Sequence, residues 1–489
     1  MGINFSRLLT LKYGPSISSF MRTKRTVLSV GRVMTCVLGM VVRREREIRA
    51  FVKTPFYRVL SRLDVHGREI EAEWRAVEGS EYFQTPVLYK ENGFKKEEDA
   101  KALIAMLEAA PPKAMVIREL SKKKEKKNAP LLFNLAELQN ECSRLFKLSP
   151  DETLKVVQEL YEKKLVTYPR TDARVLSTAV AKEIYKNISG LKNFQPVADF
   201  AREVLDMGSY KTIAKSRYVN DKQITDHYAI VPTGQGLGAL KSVNRTAFSV
   251  YTVIARRFLS IFYPAAEYQK ISLVLEKEKE KFFAGFRVLT AEGYLKVAGK
   301  PSEKGKDGEN AEKLDGAFLE VLKSLKKDTL LPVNEFYIKE GETTPPKRYN
   351  SGSMILAMEN AGQLIEDEEL RAMIKGSGIG TSATRAEILK KLVTIQYLAL
   401  NKKTQIITPT KLGEIIYDVV DNSLRSLLNP ELTASWEKGL NYVAEGSITP
   451  EEYMAKLDHF VTIRTEGVKR LNNQWMLREK YEEISRIYS

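Results

Sequence analysis

Cysteine and histidine are scarce in this sequence, which has two cysteines and three histidines among 489 residues. The two thiols, Cys36 and Cys142, are too few for a disulfide framework or a four-thiolate zinc site. No run of about 18 apolar residues occurs, and the N-terminus lacks the apolar core of a signal peptide. We therefore expect a cytoplasmic protein with no membrane partner.

Negative charge is also in short supply. The chain has 78 Lys and Arg residues against 62 Asp and Glu residues, which gives a net charge of +16. Such an excess predicts attraction to a polyanion, because neutralising phosphates releases their condensed counterions. Ribosomal proteins, nucleases and membrane-surface proteins share this property, so charge selects a class of partner and nothing finer. The length and the 43% hydrophobic content predict several packed domains.

Two stretches have the short alternating runs of β-strands, from Phe56 to about Tyr89 and over Lys270–Lys296. A helical block lies between them. The economical interpretation is one β domain built from both stretches, into which the helical block is inserted. The charge run Ser121–Lys127 (SKKKEKK) is typical of a solvated linker rather than a specific DNA contact.

The sequence predicts helices near the start, in the middle and towards the end of the chain. Ser29 is expected to cap a helix, and Ser149 and Glu152 have the spacing of a capping box. The expected buried stripe of the second helix is Leu154, Val157, Leu160, Tyr161 and Leu165. Later, a helix over Thr381–Val393 and two short strands within Tyr397–Thr408 predict a winged-helix-like unit.

The segment Val166–Asp172 (VTYPRTD) contains a candidate nucleophile. Pro169 disfavours helix at Tyr168, so a short strand is expected to place Tyr168 on a tight connection between two helices. A phenol with a reference pKa of about 10 attacks poorly unless cations favour the phenolate. Arg170 can supply that charge and stabilise a phosphorane-like transition state. Read alone, a tyrosine at this position is far more often a packing aromatic than a nucleophile.

Three further segments suit a phosphate-bearing ligand. His227, in DHYAIVPT, can hydrogen-bond a phosphate or relay a proton, although a solvent-facing or core histidine is the more usual outcome for such a residue read alone. In LSVGRVMT, small residues precede Arg32 at an expected helix start, where ordinary capping is the alternative. Gly376–Arg385 (GSGIGTSATR) has alternate glycines at a helix start, but Thr381 follows Gly380 where a Walker motif requires lysine. ATP binding is therefore not predicted.

Taken together, the segments SVGRVMT, TYPRTD, DHYAIVPT and GIGTSATRAEIL, in that order along the chain, resemble motifs of the type IA DNA topoisomerases, especially the bacterial topoisomerase III branch. The resemblance extends from Gly2 to about Val468. It implies a multidomain α+β fold, in which helical domains and a β-rich arch form a torus. It also implies that one DNA strand is cut through a 5′-phosphotyrosyl intermediate and resealed without ATP, for relaxation or decatenation.

The resemblance assigns roles to residues of this chain. Tyr168 matches the nucleophile, Arg170 the arginine that positions the scissile phosphate, and His227 an assisting histidine. The matched segments further imply DNA contacts by Ser29, Arg32, Thr35, Thr171, Asp172, Thr381, Thr384 and Arg385. The implied partner is DNA, single-stranded or negatively supercoiled, at the bacterial nucleoid.

One part of the family pattern is missing from the sequence. The family begins with a Toprim domain, which supplies a catalytic glutamate and an Asp-x-Asp-x-Glu cluster for Mg²⁺. No such cluster occurs here, since the acidic run Glu366–Glu369 lacks the spacing, and Met1–Asn4 resembles the stretch after Toprim. We therefore expect no Toprim domain and no metal ligands in this chain, with Mg²⁺ depending on a separate Toprim-containing polypeptide. A non-catalytic remnant that binds single-stranded DNA remains the alternative.

The resemblance and the coarse pattern together predict five segments. Residues 1–52 and 344–489 form the two parts of a helical DNA-binding domain, of which the second is winged-helix-like. Residues 53–128 and 266–343 form the β-rich arch. Residues 129–265 form the helical domain that contains Tyr168.

Overall fold

The structure, a computed structural model, describes residues 1–299, 316–365, 368 and 378–488, with only the backbone at residues 316 and 317. The chain divides into two compact units. The first unit comprises Met1–Ala50, Leu131–Phe258 and Pro346–Ser489, and the second comprises Phe51–Pro130 and Leu259–Pro345. Each unit is therefore assembled from segments that are far apart in sequence.

Helices dominate the first unit and strands dominate the second. The strands are β1 (Pro55–Val65), β2 (Arg68–Arg75), β3 (Leu88–Lys90), β4 (Gly93–Phe94), β5 (Ala114–Lys127), β6 (Ala266–Lys277), β7 (Glu280–Ala291), β8 (Leu330–Glu342), β9 (Leu398–Leu400) and β10 (Ile407–Pro409). The helices are α1 (Gly2–Met21), α2 (Arg32–Ala50), α3 (Glu97–Ala109), α4 (Leu135–Phe146), α5 (Pro150–Glu162), α6 (Thr178–Leu191), α7 (Ala198–Met207), α8 (Arg245–Ser260), α9 (Leu295–Ala298), α10 (Gly316–Ser324), α11 (Ser351–Glu359), α12 (Arg385–Thr394), α13 (Lys411–Asp421), α14 (Glu431–Ala444), α15 (Pro450–Arg470) and α16 (Gln474–Ile487). Over the described ranges, no helix is long and apolar enough to cross a membrane.

The second unit is built on one antiparallel sheet with the strand order β2-β7-β6-β5-β8-β1-β4-β3. Strand β1 also pairs with β2, so six of these strands close on themselves and leave no open edge between them. Strand β2 belongs to the first β-rich stretch and β7 to the second, and they pair directly. Both stretches thus contribute to one sheet and to one core, which includes Trp74 and Phe282.

The charge run Ser121–Lys127 is not a linker, so that prediction was wrong. It forms the second half of β5 and pairs with β6 from Ser121 opposite Ser272 to Lys127 opposite Ala266. Backbone pairing with the half-buried β6 decides the conformation here, because strand preference depends on the partner strand more than on the residue itself. The long lysine side chains still reach solvent from the paired backbone.

Helix α2 crosses the core of the first unit, with its middle turns buried. It begins at Arg32, so the predicted cap by Ser29 was wrong. The backbone N–H of Ser29 instead donates to Tyr397 Oη at 2.8 Å, and that of Gly31 donates to Thr35 Oγ1 at 2.9 Å. The chain before α2 is therefore held by a tertiary contact and by a hydroxyl of the first helical turn.

Two arginines of α2 are neutralised inside the first unit. Arg46 forms a two-pronged bond with Asp418, at 2.9 and 3.0 Å, and Arg49 pairs with Glu414. Tyr488 Oη also donates to Glu414, at 2.7 Å. These contacts fasten α2 and the chain end to α13, so Arg46 and Arg49 serve the fold.

The predicted helix followed by a short hairpin is confirmed, with α12 preceding β9 and β10, whose residues Leu400 and Ile407 are paired. The helix begins at Arg385, four residues later than expected. Gly380 has a φ of +69°, and the backbone N–H groups of Thr384 and Arg385 donate to the carbonyl of Thr381. The intervening residues therefore form a turn before the helix.

Glu280 is a buried carboxylate that fixes the loop after β2, and it gives a prediction about stability. Its Oε2 accepts hydrogen bonds from Trp74 Nε1 at 2.6 Å and Ser80 Oγ at 2.7 Å, and its Oε1 accepts from the backbone N–H of Glu81 at 2.9 Å. Glu280→Ala leaves these buried donors unsatisfied, and we expect the free energy of unfolding to fall by about 3 kcal/mol. Urea unfolding followed by tryptophan fluorescence measures the change. Lys279→Ala, on the same hairpin but exposed, is the control; equal effects of both substitutions would contradict the assignment.

Candidate active site

Helix α5 delivers the chain to Tyr168. Its predicted capping box is confirmed, because Ser149 Oγ accepts from the backbone N–H of Glu152 at 3.3 Å and Glu152 Oε2 accepts from that of Ser149 at 2.8 Å. After the helix, Lys164 adopts a left-handed φ of +60° and turns the chain. Val166 then forms a single bridge with Pro232 rather than the predicted short strand. Tyr168 lies two residues further on.

Tyr168 is half-buried between two other rings. Its ring centroid lies 4.4 Å from that of His227, with 45° between the planes, and 5.4 Å from that of Tyr161, with 81° between the planes. All three rings line one cavity of about 550 Å³. Tyr161 was expected in the buried stripe of α5, and this was wrong: the side chain is 38% exposed. It lies at the edge of the stripe, next to buried Leu160, and faces Tyr168.

Thr171 fixes the position of Tyr168 relative to His227. Its Oγ1 donates to the backbone carbonyl of His227 at 2.7 Å and accepts from the backbone N–H of Ala173 at 3.1 Å. The backbone carbonyl of Thr171 accepts from the N–H of Leu135 at 3.1 Å. The sequence suggested that Thr171 contacts DNA. Thr171 is buried, however, so its hydroxyl is not available to DNA. It holds the tyrosine-bearing segment against the histidine-bearing one.

Arg170 keeps an unneutralised charge. Its Nη1 donates to Gln158 Oε1 at 3.4 Å, and Gln158 Nε2 donates to Glu162 Oε1 at 3.1 Å. Within the described ranges no carboxylate lies within ion-pair distance of Arg170, which leaves its guanidinium able to bind a phosphate. Sequence reasoning missed Gln158 and Glu162, although their spacing of four residues, which puts them on one face of α5, was the available signal.

Arg385 is the opposite case, because it is only 1% exposed. Its Nη1 donates to Asp172 Oδ1 at 3.0 Å and lies 3.9 Å from Glu359 Oε1, while its Nε donates to the carbonyl of Ile379. Asn134 Nδ2 donates to Glu359 Oε1 at 2.6 Å. A buried guanidinium requires such partners. The predicted phosphate contact by Arg385 was therefore wrong, and Asp172 uses its carboxylate to hold this arginine.

The segment Gly378–Arg385 lies against the start of α2. A Cβ at Gly380 would lie 3.5 Å from Val33 Cγ1 and 3.4 Å from Arg385 Cγ. The backbone N–H of Thr381 donates to Thr384 Oγ1 at 3.0 Å, and both threonines are exposed. Gly376 and Ser377, just before this segment, lie outside the described residues. The four sequence segments are thus linked to one another, through Thr171 and His227, Asp172 and Arg385, and Gly380 and Val33.

The remaining predicted DNA contacts differ in access. Arg32 is one-third exposed and lies 3.7 Å from Glu437, and Ser29 is half-buried. Thr35 is 2% exposed, so its side chain is not available to DNA and that prediction was wrong. Its hydroxyl instead accepts from the backbone N–H of Gly31.

The sequence resemblance implies a Mg²⁺ site in the family. In the described part of this chain, no group of three or more His, Cys, Asp or Glu side chains is arranged to hold a metal ion. Asp172 and Glu359 lie near one another, but both lie within ion-pair distance of Arg385, at 3.0 and 3.9 Å. Glu366, Asp367 and Glu369 lie outside the described residues.

Comparison with known proteins identifies the family. A family model described as DNA topoisomerase matches residues 1–455. The chain belongs to the type IA DNA topoisomerases. It is 32% identical over 454 residues to DNA topoisomerase 3 of Bacillus subtilis, which covers 92% of this chain and 56% of that protein. It is 32% identical over 435 residues to DNA topoisomerase 3 of Salmonella typhimurium, which covers 88% of this chain and 62% of that protein.

The fold agrees with the family. Full-length topoisomerase I from Thermotoga maritima superposes with a TM-score of 0.62 at 23% identity, over 95% of this chain and 67% of that one. The predicted α+β type IA topoisomerase fold is therefore confirmed. The chain spans less than two thirds of the length of the two curated relatives, so the activity of a whole topoisomerase is not carried over from them.

Glu359 gives a prediction about pH. Burial raises the pKa of its carboxyl above the ordinary value of 4.5, although the charge of Arg385 opposes the shift. The folded protein therefore keeps this proton at pH values where the unfolded chain has lost it, and stability falls as pH rises through that window. Glu359→Gln cannot titrate and still accepts from Asn134. We expect the variant to gain stability relative to wild type between pH 5 and 7 in urea unfolding. A difference that is constant or shrinks with pH would contradict this.

Proposed function

We propose that Tyr168 cuts one strand of DNA. Its phenolic oxygen attacks the scissile phosphorus, the bond to the 3′ oxygen breaks, and the downstream strand is left joined to Tyr168 through its 5′ phosphate. Attack by the freed 3′ hydroxyl reverses the step. Because the covalent link conserves the energy of the phosphodiester, neither step requires ATP. The observation that carries the proposal is a half-buried tyrosine at an open cavity, two residues before an arginine that no described carboxylate neutralises.

Arg170 and His227 have separate roles in this proposal. The Arg170 guanidinium binds the non-bridging phosphate oxygens and stabilises the charge that grows on them in the transition state. The His227 ring packs on the Tyr168 ring and presents a titratable nitrogen for the proton that leaves the phenol. The leaving 3′ oxygen takes up a proton from outside this group of residues. Thr171 and Asp172 act as positioning residues, since their side chains are engaged within the protein.

The substrate we propose is single-stranded or negatively supercoiled DNA at the bacterial nucleoid, for relaxation or decatenation. Arg32, Ser29, Thr381 and Thr384 remain proposed backbone contacts, and the five segments predicted from the sequence remain the proposed functional divisions. No step is assigned to Mg²⁺, because the described residues do not fit it. We propose that a separate Toprim-containing polypeptide supplies the acidic residues that hold Mg²⁺. The same observation favours a second candidate function, a strand-binding protein without catalysis.

Tyr168→Phe tests the proposed nucleophile. An oligonucleotide labelled at its 3′ end should become covalently attached to the wild-type chain, with a Toprim polypeptide and Mg²⁺ added, because the 3′ fragment stays on the tyrosine. The variant should form no adduct, while Tyr185→Phe, an exposed tyrosine on α6, should behave as wild type. Denaturing gel electrophoresis detects the adduct. If wild type forms none but still retards single-stranded DNA, the strand-binding function replaces this one.

Arg170 should control the rate of adduct formation rather than the affinity for DNA. Arg170→Ala removes a charge that is used chiefly in the transition state, and we expect the rate to fall by about 100-fold or more. Arg170→Lys should recover part of the rate, because an ammonium keeps the charge but lacks the planar fork. Single-turnover kinetics measure the rate, and gel retardation measures affinity. A loss of affinity as large as the loss of rate would contradict this role.

A further inference from the structure

We propose that the cavity beside Tyr168 is a nucleobase subsite, which holds the base of the nucleotide that becomes joined to the tyrosine. The position along the strand rests on the proposed role of Tyr168, whereas base binding itself does not. The residues that line the cavity include Tyr168, His227, Tyr161, Tyr228, Thr233 and Gln235. Its volume of about 550 Å³ falls within the usual range of pockets for small organic ligands, about 300–1,000 Å³.

The rings in the wall favour a base as the occupant. Every nucleobase has a π-face, and single strands are bound by stacking their bases on aromatic side chains. Tyr161 is 38% exposed, and among the described residues its one ring contact is the nearly perpendicular one with Tyr168. No ring of the described part stacks flat on it. Tyr228 is half-buried, and burial raises the pKa of its phenol, so it remains a neutral surface.

The wall is fixed before any ligand arrives. Thr233 Oγ1 donates to the carbonyl of Lys164 at 2.6 Å and accepts from the N–H of Gln235 at 3.1 Å. Gly234 has a φ of +75°, and a Cβ on Gly190 of α6 would lie only 1.9 Å from the Gly234 carbonyl oxygen. The loop that presents Gln235 is therefore pressed between α6 and the end of α5. A wall of this kind binds without a large cost of ordering.

The polar groups of the cavity suit a base edge better than a second phosphate. Glu162 and Lys164 both line it, so the lining carries one charge of each sign and does not favour an anion. Gln235 is exposed, and its side-chain amide has no hydrogen-bond partner within the described residues. An amide offers a donor and an acceptor together, which matches the edge of an unpaired base. The phosphate would instead meet Arg170.

A comparison of two strands and two tyrosines tests the subsite. Fluorescence anisotropy would measure binding of the full chain to a labelled dT12 and to a strand of equal length made of abasic residues. Tyr161→Ala should bind dT12 about tenfold more weakly than wild type, because one stacked base contributes about 1–3 kcal/mol. Its affinity for the abasic strand should not change. Tyr161→Phe keeps the ring and should bind both strands as wild type.

Tyr185→Ala removes a tyrosine that is also exposed but lies outside the cavity lining, and it should leave both affinities unchanged. If Tyr161→Ala weakened both strands equally, or neither, base stacking in the cavity would be refuted. A single abasic residue moved along a cleavable oligonucleotide then locates the base: adduct yield should fall most when it immediately follows the break. A largest fall elsewhere would overturn the assigned position. Absence of any adduct would overturn the proposed function while the anisotropy comparison still decides whether the cavity binds bases.

Discussion

A buried guanidinium underlies the arrangement of residues around Tyr168. Arg385 bridges Asp172, which lies four residues after the tyrosine, and Glu359 at the end of α11. Removing Asp172, its direct partner at 3.0 Å, would leave the buried guanidinium without that ion pair, a loss that typically costs about 3–5 kcal/mol. On the other side, Thr171 binds the carbonyl of His227. The segment that contains Tyr168 is thereby anchored through Thr171 and Asp172, three and four residues after the tyrosine.

The same chemistry sorts the basic residues of the chain into two groups. Arg46, Arg49 and Arg385 are paired with buried or half-buried carboxylates, so they contribute to the fold and not to a surface field. Within the described part of the chain, Arg170 meets only a glutamine, and Arg32 lies 3.7 Å from Glu437. A net charge of +16 therefore does not amount to a uniform DNA-binding surface. Which cations can meet phosphates is decided by where the carboxylates lie.

This explains what could be predicted from the sequence. The capping box at Ser149 and the hairpin after α12 depend on residues a few positions apart, and both were predicted correctly. The strand at Ser121–Lys127, the burial of Thr35 and the neutralisation of Arg385 depend on partners far along the chain, and all three were missed. The resemblance to a family located the segments that meet around Tyr168. It did not distinguish a side chain that touches a ligand from one that holds its neighbour.

Helix α5 connects the two halves of the proposed site. Tyr161 and Glu162, in its last turn, line the cavity, while Gln158, one turn earlier, binds both Arg170 and Glu162. A helix changes length and direction little, so a base that stacks on Tyr161 is held at a fixed distance from the arginine that meets its phosphate. The bound base would then determine which phosphate of the strand lies next to Arg170. In this proposal, occupation of the cavity would be a condition for correct alignment of the scissile bond, and not merely added affinity.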